Sequence, residues 1–256
     1  DSDNVDVVML TSTKVLSTWR SGSLSNQGLA TVLLISGTTI SKGTDVVFET
    51  NYLQDSSLAR LSSTQAIVCY RDHGGTNYGT SCIISVSGST TVTVGTPAVF
   101  ESASTYDVSV ATFSSTKAIV CYQDAGNGSY LTARILSISG SSVSAGTEIV
   151  FANSASTLPL VDVLSSTKAI VVFSDAGNSY YGTSRILDIS GTTISITGNA
   201  TVYDSSQSRD NVVAALSATE AVVTYRDGNN KGSYSKLSVS GVTITATTPT
   251  IFLDSY

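Results

Sequence analysis

The sequence predicts an all-β fold, a five-bladed β-propeller with four antiparallel strands per blade and about 51 residues per repeat. Three observations carry that expectation. A Ser-Gly dipeptide closes a hydrophobic run at Gly37, Gly88, Gly140, Gly191 and Gly241, at spacings of 51, 52, 51 and 50 residues. An aromatic residue keeps the same beat at Trp19, Tyr70, Tyr122, Phe173 and Tyr225. Between these markers lie only short apolar runs separated by Gly, Asn, Asp and Ser, which suit strands and turns rather than helices. Repetition from end to end means one architecture built five times. The expected organisation is a single domain over residues 1–256, with blades at approximately 1–50, 51–102, 103–153, 154–205 and 206–256.

The third repeat shows why each element forms. Strand a, Asp107 to Phe113, alternates weakly and ends at the polar turn Ser114-Ser115-Thr116. Strand b, Ala118 to Tyr122, is apolar on both faces, as an interior strand must be. A turn-rich loop, Gln123 to Ser129, leads to strand c, Ala133 to Ile138, which closes on the hairpin signal Ser139-Gly140. Strand d begins at Ser142, is interrupted at Gly146-Thr147 in a manner that suits a bulge, and resumes from Glu148 to Phe151. Such a sheet is apolar on both sides and cannot stand alone. Five of them arranged radially bury one another's faces, with strand a innermost and the ring closed by packing of blade on blade. Trefoils need three or six units and parallel β-helices use shorter turns, so both fit the repeat less well.

Composition narrows the function classes. Charged residues make up 12% of the chain, Ser and Thr supply nearly a third, and the formal net charge is −6. Thirteen basic residues scattered singly cannot neutralise a run of phosphates, so nucleic acid is excluded as a partner. No apolar stretch has the length of a membrane span and no signal peptide is evident, so membrane insertion is not expected. The chain begins at Asp1, which suits a processed secreted protein, and an extracellular location is expected. Of three cysteines, Cys69 and Cys121 occupy one position of neighbouring repeats, where Thr18, Val172 and Thr224 stand elsewhere. That exchange indicates small core residues, and buried free thiols are expected over a Cys69–Cys82 bridge. Metal binding by cysteine is remote, since His73 is the only histidine.

The loops a–b and c–d are minimal and nearly identical among the repeats, whereas b–c and d–a are longer and carry the candidate functional residues. Strand b ends in aromatic-x-Asp in four repeats, giving Asp72, Asp124, Asp175 and Asp227, while the first repeat has Trp19 and Ser21. Between the pair lie Arg20, Arg71 and Arg226, replaced by Gln123 and Ser174 in the middle repeats. Asn127, Asn178 and Asn229 follow, with Tyr78, Tyr130 and Tyr181 at the start of strand c. The d–a loops add Asp55, Asp107 and Asp210 at one position, where the first and fourth repeats carry Asn4 and Leu158. Two readings stand side by side. An Asp before a turn caps it, and an aromatic that closes an apolar strand is core. Alternatively, Asp, Asn and Arg bond paired hydroxyls while Tyr or Trp stacks on a pyranose, as a shallow sugar site requires. No cofactor is expected. Calcium at the Asp clusters is the alternative, although no loop has dense, alternating oxygen ligands.

The order of strands a to c resembles the repeat of WD-type propellers, without that family's Gly-His and Trp-Asp dipeptides. Blade number and repeat length across the whole chain are similar to five-bladed invertebrate lectins of the tachylectin-2 kind, and this resemblance implies one sugar site per blade. The expected function is a non-catalytic, multivalent lectin for glycans or glycoconjugates, with Asp72, Asp124, Asp175, Asp227, Asn127, Asn178, Asn229, Tyr78, Tyr130, Tyr181, Arg71, Arg226 and Trp19 as ligand contacts. An adhesion module for a protein partner is the alternative. A glycoside hydrolase ranks below both, because its mechanism needs one pocket with two carboxylates about 5–10 Å apart, and here the carboxylates recur by repeat. Departures in the first and fourth repeats point to fewer than five working sites.

Overall fold

The computed structural model describes residues 2–254. The chain is all-β: 24 strands and three single 3-10 turns make up the regular elements of the described residues, and the strands pair antiparallel within each repeat. In the first repeat strand a is Ser2–Thr11, b Lys14–Ser21 and c Gln27–Ser36. Strand d comes in two pieces, Thr39–Lys42 and Val46–Glu49, both paired to c. The fourth repeat follows suit with Thr157–Ser165, Lys168–Asp175, Tyr181–Ser190, Thr193–Ser195 and Thr201–Gln207, and so does the fifth with Arg209–Ser217, Glu220–Arg226, Gly232–Ser240, Thr243–Ala246 and Thr250–Leu253. These three repeats are separate five-stranded sheets. In the second repeat, Leu53–Arg60, Gln65–Asp72, Tyr78–Ser87 and Thr91–Val94 lead into Ala98–Ser114, which runs unbroken into the third. That 17-residue strand joins the second and third repeats in one nine-stranded sheet, so five sequence repeats give four sheets.

The expected break in strand d is present. After the break, Gly43, Gly95 and Gly146 each donate their N–H to a strand c carbonyl at 2.8 Å, which holds the interruption against the sheet. The short turns are alike for a local reason. Thr64, Thr116, Thr167 and Thr219 donate their N–H to the hydroxyl of the Ser two residues before, at 3.1–3.3 Å. Thr13 does the same to Thr11. The carbonyl of the same Thr then receives strand c, as in Val86 to Thr64 and Val239 to Thr219, both at 2.8 Å. In the c–d hairpins all five glycines have φ between 59 and 62°, where a Cβ would be strained.

The chain folds as two compact units, residues 1–118 with 136–145, and residues 119–135 with 146–256. Within each, the core lies between neighbouring repeats. In the first unit Leu10, Leu16, Val32 and Phe48 of the first repeat pack with Leu58, Val68, Tyr70 and Ile84 of the second. In the second unit Leu164, Ile170, Val172 and Tyr203 pack with Val223, Tyr225, Leu237 and Ile244. Each such side chain, fully buried, contributes roughly 1.5–3 kcal/mol. Edge-on aromatic pairs also cross seams, Phe48 to Tyr70 at 5.5 Å between the first and second repeats and Phe151 to Phe173 at 5.8 Å between the third and fourth, and each adds about 0.5–1.5 kcal/mol. Adjacent a strands are also tied by side chains. Leu58 N–H donates to Asp6 Oδ2 at 2.8 Å, Val110 N–H to Ser57 Oγ at 3.2 Å, and Ala215 N–H to Asp162 Oδ2 at 2.7 Å.

Cys69, Cys82 and Cys121 are buried free thiols, as expected. Val68 rather than Cys69 stands opposite Cys82, so the two thiols lie on opposite faces of the hairpin. Burial, with Glu49 nearby, pushes Cys82 up to about 12, and burial raises the other two as well, which keeps all three protonated. No helix of the described residues is long and apolar enough to cross a membrane.

Candidate functional site

The four strand b aspartates accept from the backbone of the loops that follow them, and Asp72 and Asp175 accept from d–a loop side chains as well. Asp72 accepts Gly75 N–H at 3.0 Å and Asn51 Nδ2 at 3.2 Å. Asp124 and Asp175 cap the 3-10 turns Ala125–Asn127 and Ala176–Asn178 by accepting Gly126 N–H at 2.9 Å and Gly177 N–H at 3.0 Å. Asp227 takes the N–H groups of Asn229 and Lys231, both at 2.9 Å. These carboxylates shape the b–c loops, which is the turn-capping reading of the sequence. The strand b aromatics Tyr70, Tyr122, Phe173 and Tyr225 are buried, whereas Trp19 is half-buried with Lys42 Nζ 5.7 Å from its ring centroid. Asn127, Asn178 and Asn229 are exposed at the loop tips, and Tyr78, Tyr130 and Tyr181 are half-buried at the starts of their c strands.

The arginines make the more telling arrangement. Arg71, only 6% exposed, hydrogen-bonds the Gln54 side chain, lies 2.8 Å from His73 Nδ1 and 3.5 Å from Asp55 Oδ2, and sets its guanidinium 4.4 Å from the centroid of Tyr106. Arg20 repeats the motif one repeat earlier. Its Nη1 donates to Tyr52 Oη at 2.8 Å and its guanidinium stands 4.7 Å from the Tyr52 centroid. In the fifth repeat Arg226 Nε lies 3.0 Å from Asp210 Oδ2, beside a cleft of about 180 Å³ walled by Tyr225, Phe252 and Leu253. Each cluster thus sets a strand b cation beside the acid on strand a of its own repeat or an aromatic from the repeat that follows. Burial raises the Asp55 carboxyl above its ordinary value. Arg71 works against that rise and Asp107 adds to it.

The strand a acids have a backbone reason for their identity. Asn4, Asp55, Asp107, Leu158 and Asp210 all have φ between 48 and 55°, and Asn4, Asp55, Leu158 and Asp210 lie within a register shift against strand b. Asn and Asp tolerate this left-handed conformation better than other residues with a side chain. At Asp55 and Asp210 the bulge sets the carboxylate beside the strand b guanidinium, so there one device serves backbone and site together. Among the expected contacts, the structure places Arg71 and Arg226 in such clusters. Tyr52 and Tyr106 were not singled out from sequence. The signal that could have found them is their place, three and one residues ahead of the left-handed Asp55 and Asp107.

No family model matches this sequence, and no curated protein is similar to it. Solved structures share its fold. SapL1 lectin in complex with alpha methyl fucoside superposes at a TM-score of 0.59 with 11% identity, covering 98% of this chain and 82% of that one. Aleuria aurantia lectin with alpha-methyl-L-fucoside gives 0.59 and 11%, covering 94% and 74%. A Hadza microbial sialidase gives 0.57 and 10%, covering 100% of this chain and 59% of its own. The chain spans little more than half of that sialidase and 36% of a prolyl endopeptidase that it also matches. The shared fold is a propeller-type array of antiparallel sheets, found in lectins and enzymes alike.

Proposed function

We propose that this chain is a multivalent, non-catalytic carbohydrate-binding protein whose five repeats are the five blades of a β-propeller. The observation that carries the reading is the recurrence of a guanidinium beside an aromatic ring or acid, at Arg20 with Tyr52, Arg71 with Asp55 and Tyr106, and Arg226 with Asp210. A fixed guanidinium donates to one sugar hydroxyl, its carboxylate partner accepts from the next, and the half-exposed rim of the aromatic covers the apolar side of the ring. The lectin structures of the same fold support a glycan ligand, and two of those lectins are in complex with a fucoside. The aspartates occupied in loop capping favour binding over hydrolysis. An extracellular setting, where glycans are displayed, belongs to the same proposal.

Each site on its own is expected to be weak, since a millimolar dissociation constant is worth only about 4 kcal/mol, and several sites engaging one surface gain through avidity. Glycan-array binding that a free monosaccharide competes away is the expected result. Array silence together with retained binding to a protein partner would sink the reading. In the same assay Arg71→Gln should weaken monosaccharide binding by roughly tenfold, the usual worth of a charge-assisted hydrogen bond. An unchanged affinity would remove that cluster from the site.

A further inference from the structure

The chain's single histidine stands between two of the guanidinium clusters. His73 belongs to the b–c loop of the second repeat, where its N–H donates to the Tyr52 carbonyl at 2.9 Å and its imidazole is exposed. On one side the ring is edge-on to Tyr52, with centroids 5.0 Å apart, and Tyr52 in turn accepts from Arg20 at 2.8 Å. On the other side Nδ1 lies 2.8 Å from Arg71 Nη2. The same Nδ1 lies 2.7 Å from Asn77 Oδ1. These two contacts ask opposite things of one nitrogen. Arg71 only donates and so needs the Nδ1 lone pair, whereas Asn77 Oδ1 only accepts and so needs a proton on Nδ1. Turning the Asn77 amide would leave two donors on one lone pair. The imidazole therefore has two hydrogen-bonding states, one tied to Arg71 and the other to Asn77.

We propose that His73 is a positioning residue for the second-repeat cluster: neutral, it holds Arg71 through Nδ1, and protonated, it turns to Asn77 and releases Arg71. An imidazolium carries a proton on both nitrogens, so only the Asn77 state is open to it. Of the charged groups around the ring, Arg71 of strand b repels the imidazolium, Asp55 of strand a attracts it, and Asp107 of the third repeat lies beyond Asp55. Asp72, the residue before it, is engaged by Gly75 and Asn51, and Tyr52 is the remaining titratable group against the ring. Once released, Arg71 keeps Gln54 and the face of Tyr106 but loses one of the points that orient it. Ordering a loosened guanidinium at each binding event weakens the site. The device is confined to one repeat, because Gly22, Ala125, Ala176 and Gly228 stand at the matching positions of the others. Its effect on affinity rests on the glycan-binding reading, whereas the release of Arg71 does not.

Two measurements on the whole chain test this. The first is heteronuclear NMR between about pH 8 and pH 5, the range in which imidazoles as a class change charge. The one histidine should give a single titration, and the Arg71 Nε–H resonance, identified by its loss in Arg71→Gln, should shift with the same midpoint. In His73→Gln that resonance should hold still. An Arg71 signal that ignores the histidine, or that shifts equally in His73→Gln, overturns the inference. The second is calorimetric titration with alpha-methyl-L-fucoside and with galactose, in a chain carrying Arg20→Gln and Arg226→Gln so that the second-repeat cluster is the one left. Binding should be about fivefold weaker at the acid end, the cost of ordering one long side chain, and His73→Gln should remove the dependence. Affinity that is the same at both ends, or a dependence that survives His73→Gln, overturns the positioning role. Failure of every sugar on an array to bind at either pH overturns the glycan reading instead, and the resonance still decides whether His73 releases Arg71.

Discussion

At one end of each repeat sit the Ser-Thr and Ser-Gly turns, and at the other the b–c and d–a loops. The short turns repeat backbone and side chains alike, whereas the long loops share a left-handed residue on strand a and little else. In the short turns the residue is the geometry: the hydroxyl of Ser114 accepts Thr116 N–H, and Gly140 supplies a φ of 62°. In the long loops the left-handed backbone recurs at residues 4, 55, 107, 158 and 210 while the side chain there varies from Asp to Leu. Strict sequence at one end reports folding, and a kept left-handed backbone under varied side chains at the other reports a scaffold whose surface chemistry can change without changing the fold.

The largest expected effect comes from the foot of strand c, just past the long b–c loop, at a glycine that leaves no room for a Cβ. A Cβ on Gly79 would lie 2.3 Å from Cε2 of Phe100, an aromatic edge that cannot yield cheaply. Gly79→Ala should therefore cost about 1–3 kcal/mol in urea unfolding, and a neutral result would show that the ring is not held against strand c. A smaller effect is expected from Ser114→Ala, about 0.5–1.5 kcal/mol for one turn hydrogen bond. Asp55→Asn, which keeps the left-handed preference, should change stability by less than about 0.5 kcal/mol. Equal costs for these two would erase the distinction between the ends.

The smallest expected effect is a pH dependence at the short-loop end. Burial raises the Asp188 carboxyl, but hydrogen bonds from Lys168 and Thr197 outweigh it and hold the group below its ordinary value of 3.8. A depressed folded value means that the carboxylate contributes stability above pH 3.8 and loses it as pH falls through the folded value. The stability difference between wild type and Asp188→Asn should shrink across that acid window. A difference independent of pH would place the pair in solvent, with no preference for the ionised form.

How much was legible depended on distance along the chain. The strands, the turns and the broken strand d could be read from residues within one repeat, because their causes are local: alternation, a Ser two residues before a Thr, a Gly at a turn. The aspartates Asp72, Asp124, Asp175 and Asp227 were legible as polar loop residues, but whether they cap or bind was not, since both uses call for the same side chain at the same place. Tyr52 and Tyr106 were invisible as partners of Arg20 and Arg71 because they come from the next repeat, more than thirty residues on. The merging of the second and third repeats into one sheet through Ala98–Ser114 is likewise absent from the repeat pattern.

The sequence by itself determined the repeat, the all-β class and the identity of the short turns, since each follows from backbone preferences acting over a few residues. Only the tertiary structure decided which side chains share a site. It brings the strand b cation to the left-handed acid of its own repeat and the aromatic of the next, and it sets His73 between two such clusters. Those meetings are fixed by packing between sheets, and packing has no spacing that a single chain of letters displays.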